Sequence, residues 1–232
     1  MLFKNKFWSI TTGLMIAPML YLIAFGWGIG NSMTIDGMSY ISFVIPGIIA
    51  MSTMTISFGT VANGINISRT YDKTFEEFMT APINMVSYTI GKIIASALRG
   101  MYSAALIISL SLLFRGNVNI DIYFIFIIIL NCLVFSALGF MIGMIIDSHA
   151  DMSKFSNFII TPMSFLCGTF FPLDKMPFLI KDVIWILPLT QTSIALRRNS
   201  ELFLNPWIHP LILVLYFVIL LIIGIKLCTK AE

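Results

Sequence analysis

Six long apolar stretches separated by short polar breaks run along this chain, at about 12–30, 41–62, 84–113, 120–146, 155–172 and 207–227. Each is long enough, at or near the ~20 residues that a helix needs to cross the ~30 Å hydrocarbon core of a bilayer, and the third is unusually long. Inside that core every backbone N–H and C=O must be paired within the segment, so the pattern predicts helices. It reads as an all-α integral membrane protein with six transmembrane helices, in one domain over residues 1–232.

After the fifth stretch the pattern changes. Gly168, Pro172, Pro177 and Pro188 interrupt the helix while the sequence stays apolar, through Phe170-Phe171 and Ile184-Trp185-Ile186-Leu187. Short re-entrant outer helices meet both demands, provided protein or a water-filled path covers their backbone. They are expected at about 176–187 and 188–198, between spans five and six.

A second break lies between spans two and three. Thr74 followed by Glu77 matches a capping box, and Pro82 stops the helix that the box would start. The result is a helix of about two turns with Phe75, Phe78 and Met79 on one face. This stripe either rests on the protein's own bundle or inserts into a partner.

Composition agrees with the pattern: 58% of residues are hydrophobic, 11% are charged, and the mean hydropathy is +0.95. That is too little charge to clothe a soluble domain. The net charge of +3 is too small to suggest nucleic acid, and the cations read as topology signals. Lys4, Lys6, Arg69, Lys73, Lys154, Lys226 and Lys230 fall on one side if the spans alternate, and the loop 31–39 has no Lys or Arg. Both termini are therefore expected in the cytoplasm, with the chain multi-pass in the cell membrane. Lys175, Lys181, Arg197 and Arg198 would then face outward, snorkelling to the outer headgroups. Lys4 and Lys6 before an apolar run resemble a signal peptide. The run is longer than an h-region and lacks an Ala-x-Ala site, so it is read as a retained first span.

Little in the chain suggests chemistry. Cys132, Cys167 and Cys228 show no CxxC spacing and read as small buried side chains. His149 and His209 are expected on opposite sides of the membrane. Gly91-Lys92 is not a Walker A motif, since Val86 and Ile93 stand at its required positions. The chain therefore cannot use ATP by itself, and no catalytic, cofactor or metal site is expected in it. Arg99 is the unusual charge: at mid-membrane it costs at least ~2.5–3.5 kcal/mol and should face protein or water. It either lines a substrate path or pairs with backbone carbonyls or headgroups. Gly139 and Gly143 form GxxxG in span four, which permits close helix packing against an unspecified neighbour.

Several motifs together resemble the ABC-2 family of ABC transporter permeases, over about residues 12 to 227. The segment from Gly168 through Pro172, Pro177 and Leu187-Pro188-Leu189-Thr190 to Arg197 is similar to its downstream signature. Tyr40, Phe43 and Pro46-Gly47 resemble its Tyr-x-x-Phe-x-x-Pro-Gly, and Gly91-Lys92 its Gly-Lys. The 69–82 loop resembles its coupling helix, matching at Arg69, Thr74, Phe75, Glu76, Phe78, Met79 and Pro82, with Lys73 where the family usually has Gly. The family usually carries a longer amphipathic helix before its first span. About a dozen residues precede it here, so that helix is expected to be shortened or missing.

The resemblance implies an exporter permease for an amphipathic or lipid-linked substrate or drug, paired with a second permease copy in a homodimer or related heterodimer. A separate ABC ATP-binding subunit would hold the ATP and Mg. Arg69, Thr74, Phe75, Glu76, Glu77, Phe78, Met79 and Pro82 would couple to that subunit. Arg99, Thr161, Pro162, Gly168, Thr169, Pro172, Pro177 and Pro188 would line or gate the path. A membrane scaffold without transport is the alternative, but it leaves the cytoplasmic helix and the broken outer helices without a reason.

Overall fold

The structure, a computed structural model, describes residues 2–27, 34–35, 38–113, 119–173, 177–197, 205 and 207–230. Helix α1 (Leu2–Tyr21) continues into a π turn, Leu22–Trp27. A small antiparallel pair, β1 (Thr34–Ile35) with β2 (Met38–Ser39), leads into α2 (Tyr40–Thr70). Then follow α3 (Thr74–Thr80), α4 (Met85–Leu113) and α5 (Ile122–Ile145). Helix α6 (His149–Phe155) passes through a π turn, Ser156–Ile160, into α7 (Thr161–Leu166). Two short helices, α8 (Phe178–Ile186) and α9 (Pro188–Arg197), precede α10 (Ile208–Lys230).

Among the described residues, α2, α4, α5 and α10 are long and apolar enough to cross a membrane. The chain is a multi-pass, all-α membrane bundle. The expected first and fifth spans are composite helices rather than single long ones. The π turn of the fifth sits one turn before Pro162, whose ring and missing N–H disturb the regular ladder. There the Thr161 N–H bonds back to the Ser156 carbonyl. The expected end of the first span at residue 30 lies outside the described residues.

Helix α2 is the axis of the bundle. It is apolar all round and buried along most of its length, as a central helix must be. Gly139 and Gly143 identify α2 as the neighbour of α5. A Cβ at Gly139 would lie 2.6 Å from the Phe58 carbonyl, and one at Gly143 would lie 2.9 Å from that of Ala62. Only glycine lets these two backbones come so close. Helix α10 is the opposite case, with Leu211, Leu215, Val218, Ile219 and Ile222 exposed on an apolar outer face suited to lipid.

Two sequence expectations change here. Helix α2 runs past the expected boundary at 62 to Thr70, because its last polar residues find partners at the end of α5. Asn66 donates to the Ile146 carbonyl at 2.7 Å, and Arg69 reaches the Gly143 and Met144 carbonyls. The capping box does not form. Lys73, not Thr74, precedes the first turn of α3, with φ of 52° and no side-chain cap. That left-handed backbone is one that glycine adopts freely. Ala81, extended ahead of Pro82, then ends the helix as expected.

Candidate functional site

Three groupings of side chains stand out along the bundle. The first surrounds α3. Phe75 is buried, and its ring meets Tyr88 of α4 at 5.9 Å; Phe78 meets the same ring at 5.2 Å. The Lys92 ammonium lies 5.3 Å from the Tyr88 centroid and 5.9 Å from that of Phe78, a double cation–π contact. Met79 also packs against the core. The apolar stripe of α3 thus rests on its own bundle, while Glu76, Glu77 and Thr80 face outward with Tyr71, Asp72 and Lys73. Thr74 is half-buried at the first turn, and Pro82 is exposed just beyond the last.

Arg69 is not a free surface charge. It donates to the Gly143 and Met144 carbonyls at 3.1 and 2.6 Å and pairs with Asp147 at 2.9 Å. A cation on the last carbonyls of α5 also suits the negative end of that helix dipole. Arg69 therefore bolts the end of α2 to the end of α5, right where α3 begins.

The second grouping is a cavity of about 360 Å³ between α1, α2 and the composite α6–α7 helix. Tyr21, Ser52, Thr55, Ser156, Thr161 and Ser164 line it with hydroxyls, Asn63 with an amide, and Leu14, Ile56, Phe58 and Phe165 with apolar surface. No carboxylate, amine or guanidinium is among its lining residues. Thr161 is the one sequence-predicted path residue that lines it; Pro162 is exposed beside it. Arg99 does not reach it and instead lines a separate groove between α2 and α4.

The third grouping is the turn that ends α7. Gly168 has φ of 76°, the left-handed conformation of a helix stop, and Thr169 is fully buried after it. Arg197, at the end of α9, donates to the carbonyls of Phe43 at 3.0 Å, Thr169 at 2.9 Å and Gly168. Its guanidinium also stacks 3.8 Å from the Phe43 ring centroid. Tyr40 donates to the Phe170 carbonyl at 3.2 Å, and Ser193 to that of Cys167 at 2.8 Å. At Gly47 an added Cβ would collide with the Thr169 carbonyl and come 2.7 Å from Arg197 Nη2. The expected snorkelling Arg197 is therefore corrected: orphan carbonyls at a helix stop draw it inward, which suits a guanidinium with several donors. Lys175 and Arg198 lie outside the described residues.

Of the remaining expected gate residues, Pro177 precedes α8 and Pro188 is the first residue of α9. A proline at a first helical position starts a helix rather than breaking one. Pro172 lies half-buried in the link between α7 and α8.

Sequence reasoning missed a polar belt beneath this turn. Asn131 of α5 donates to the Ala50 carbonyl at 3.1 Å and Thr53 Oγ1 at 2.9 Å, and accepts from Thr192 at 2.8 Å. Gln191 joins His209 Nδ1 at 2.8 Å and the Trp185 carbonyl. Helix α9, buried from Pro188 to Leu196, is held by these bonds as well as by Leu189, Ile194 and Leu196 in the core. The available signal was the polar run Thr190-Gln191-Thr192-Ser193 within an otherwise apolar region. All three cysteines are free and buried. Among the described residues, no group of three His, Cys, Asp or Glu side chains is placed to hold a metal ion.

Comparison with known proteins places this geometry in context. Residues 3–200 match the family model described as "ABC-2 type transporter". The chain is 27% identical over 179 residues to the inner membrane transport permease YadH of Escherichia coli K12, covering 75% of this chain and 70% of that protein. It is 28% identical over 184 residues to nodulation protein J of Rhizobium meliloti, covering 78% and 70%. Against nodulation protein J of Rhizobium leguminosarum bv. viciae it is 27% identical over 219 residues, covering 92% and 84%. No solved structure matches significantly.

Proposed function

The chain belongs to the ABC-2 type transporter family, and from that premise we propose that it is the permease subunit of an ATP-driven exporter working with a separate ATP-binding subunit. Six spans are then α1 with its π turn, α2, α4, α5, the composite α6–α7 and α10. The composite fifth span is about 27 Å long at ~1.5 Å per residue, close to the hydrocarbon thickness. Helices α8 and α9 are too short to cross and act as the re-entrant outer pair. The Lys and Arg pattern supports both termini in the cytoplasm, with α3 on that side.

The observation that carries this reading is the mounting of α3. A two-turn helix in water is marginal alone. Here Phe75 and Phe78 clamp it to Tyr88 of α4, Met79 packs into the same apolar cluster, and Arg69 braces its base. That leaves Glu76 and Glu77 as a stiff acidic face directed away from the bundle. A force applied to that face passes into α2 and α4 instead of bending a loop. The ATP-binding subunit, which holds the ATP and Mg, docks there. The residues predicted for coupling divide accordingly: Glu76 and Glu77 touch the partner, while Arg69, Phe75, Phe78 and Met79 transmit the motion.

Two copies meet through α1 and the composite α6–α7 helix, whose exposed Ile16, Leu20, Phe158 and Phe165 lie beside the hydroxyl-lined cavity. The mixture of hydroxyls and apolar surface, without charge, suits an amphipathic or lipid-linked cargo. Gly168, Thr169, Pro172, Pro177 and Pro188 shape the outer gate. The test is co-purification of the ATP-binding subunit, comparing the native chain with Glu76→Lys/Glu77→Lys. Loss of capture and of cargo-stimulated ATP hydrolysis, with membrane insertion unchanged, is expected. Undiminished capture by the reversed face would refute docking through α3.

A further inference from the structure

The second cavity lies outside the path just described. It holds about 270 Å³ between α2 and α4 and is lined by Thr60, Gly64, Ala95 and Ser96 together with Lys92 and Arg99. Seven residues separate the two cations, close to two helical turns, so they project from one face of α4. Side chains on a helix lean toward its N-terminus, and α4 begins next to α3. Both cations therefore lean toward the α3 end of the bundle. Neither Lys92 nor Arg99 takes part in the ion pairs Arg69–Asp147 and Lys154–Asp151. Ser96 already donates to the Ser57 carbonyl. The groove thus carries two positive charges and no carboxylate, within a membrane-spanning helix.

We propose that this groove is a binding site for the phosphate of an anionic phospholipid, gripped by Lys92 and Arg99. Arginine's planar fork matches two phosphate oxygens and lysine adds a point charge, the usual division of labour at a phosphate. What selects a lipid over free phosphate is the flank. Leu98, next to Arg99 on α4, and Ile67, on the Thr60 and Gly64 face of α2, are exposed and offer acyl chains an apolar track. Basic grooves between helices at the cytoplasmic side are suited to acidic headgroups. Which leaflet supplies the lipid rests on the proposed orientation; the binding chemistry does not. Lys92 also sits over Phe78 and Tyr88, so an occupied groove holds the platform under α3 in place.

The experiment is native mass spectrometry of the full chain, titrated with phosphatidylglycerol, phosphatidylcholine or inorganic phosphate. Phosphatidylglycerol should bind the native chain roughly tenfold or more tightly than phosphatidylcholine, as two surface cations imply. Lys92→Gln/Arg99→Gln should remove that preference, while Lys226→Gln/Lys230→Gln should keep it. Gly64→Leu provides a second variant that leaves both charges intact. A side chain there meets open space, fills the groove and should also abolish the preference. Equal binding of both lipids by the native chain would overturn the proposal, as would a preference that survives both groove variants. Displacement by inorganic phosphate as effective as by lipid would overturn the lipid assignment. Because no ATP-binding subunit takes part, failure here is separate from failure to capture that subunit.

Discussion

Replacing Arg197 by alanine tests the turn that ends α7. Three hydrogen bonds from a charged donor, at about 1.5–3 kcal/mol each, and a ring contact of about 2 kcal/mol give roughly 6–11 kcal/mol of gross interaction. Removing the guanidinium also removes the cost of burying its charge, several kcal/mol. The difference leaves a net loss of about 2–5 kcal/mol. It should fall on the Gly168–Thr169 turn, because that is where two of the three carbonyls lie. Cys167 sits immediately before this turn, buried and free, and reports on it directly.

The assay is the rate of maleimide labelling at Cys167 in detergent, with Cys132 and Cys228 as buried controls. If local opening limits labelling, a loss of 2–5 kcal/mol corresponds to a rate increase of about 30-fold or more, at ~1.4 kcal/mol per tenfold. Arg197→Lys should fall between, since an ammonium lacks the planar fork that serves several carbonyls. Gly47→Ala should imitate Arg197→Ala, because its methyl would collide with the Thr169 carbonyl and crowd Arg197. Native labelling at Cys167 together with unchanged thermal stability in Arg197→Ala would refute the argument. A rise at all three cysteines would mean general unfolding and refute the local form of it.

Four further outcomes follow from the same geometry. Lys73→Gly should stabilise the start of α3 by about 1 kcal/mol, because the left-handed φ of 52° costs a side-chain-bearing residue ~1–2 kcal/mol; amide exchange at Glu76 and Glu77 should slow. Asn131→Leu should destabilise the bundle by about 2 kcal/mol, given three interhelical bonds at ~0.6 kcal/mol each plus crowding at a fully buried site; a melting temperature at or above the native value would contradict this. Arg69→Ala should cost about 1–3 kcal/mol through the α5 carbonyls it leaves uncapped. Asp147→Asn should cost under ~1 kcal/mol, since the Asp147 carboxylate is 79% exposed and the pair is screened.

The helices were the legible part of this chain, because an apolar run in a bilayer has one common way to pair its backbone. Their order, the short helix before Pro82 and the two short helices starting near Pro177 and Pro188 all follow from runs and breakers. Contacts made across the bundle were not legible. Arg197 looks, in sequence, like other cations near the outer surface, and only the fold shows three carbonyls converging on it. Phe75 and Phe78 define a stripe, but periodicity does not say whether Tyr88 or another protein covers it. The capping box failed for a more local reason. Its pattern fixes residue types, whereas the backbone places Lys73 at the position where the chain turns, so Thr74 enters the helix too late to cap it.

The distribution of directional bonds divides the bundle into a stiff part and a compliant part. Asn131 joins α2, α5 and α9, Gln191 joins α9 to α8 and α10, and Tyr216 of α10 donates to the Ile186 carbonyl at 2.6 Å. Helix α1 and the α7 region meet largely through rings, Tyr21 with Phe165 at 6.5 Å and Phe25 with Phe170 at 4.5 Å. Rings slide over one another at less cost than hydrogen bonds break. Both composite helices also carry a π turn near a proline, Pro18 in one and Pro162 in the other. The cavity lies between these compliant helices and the stiff axis α2. Arg197 fixes the far end of α7 to the start of α2, so a tilt of α7 away from α2 pivots at Gly168.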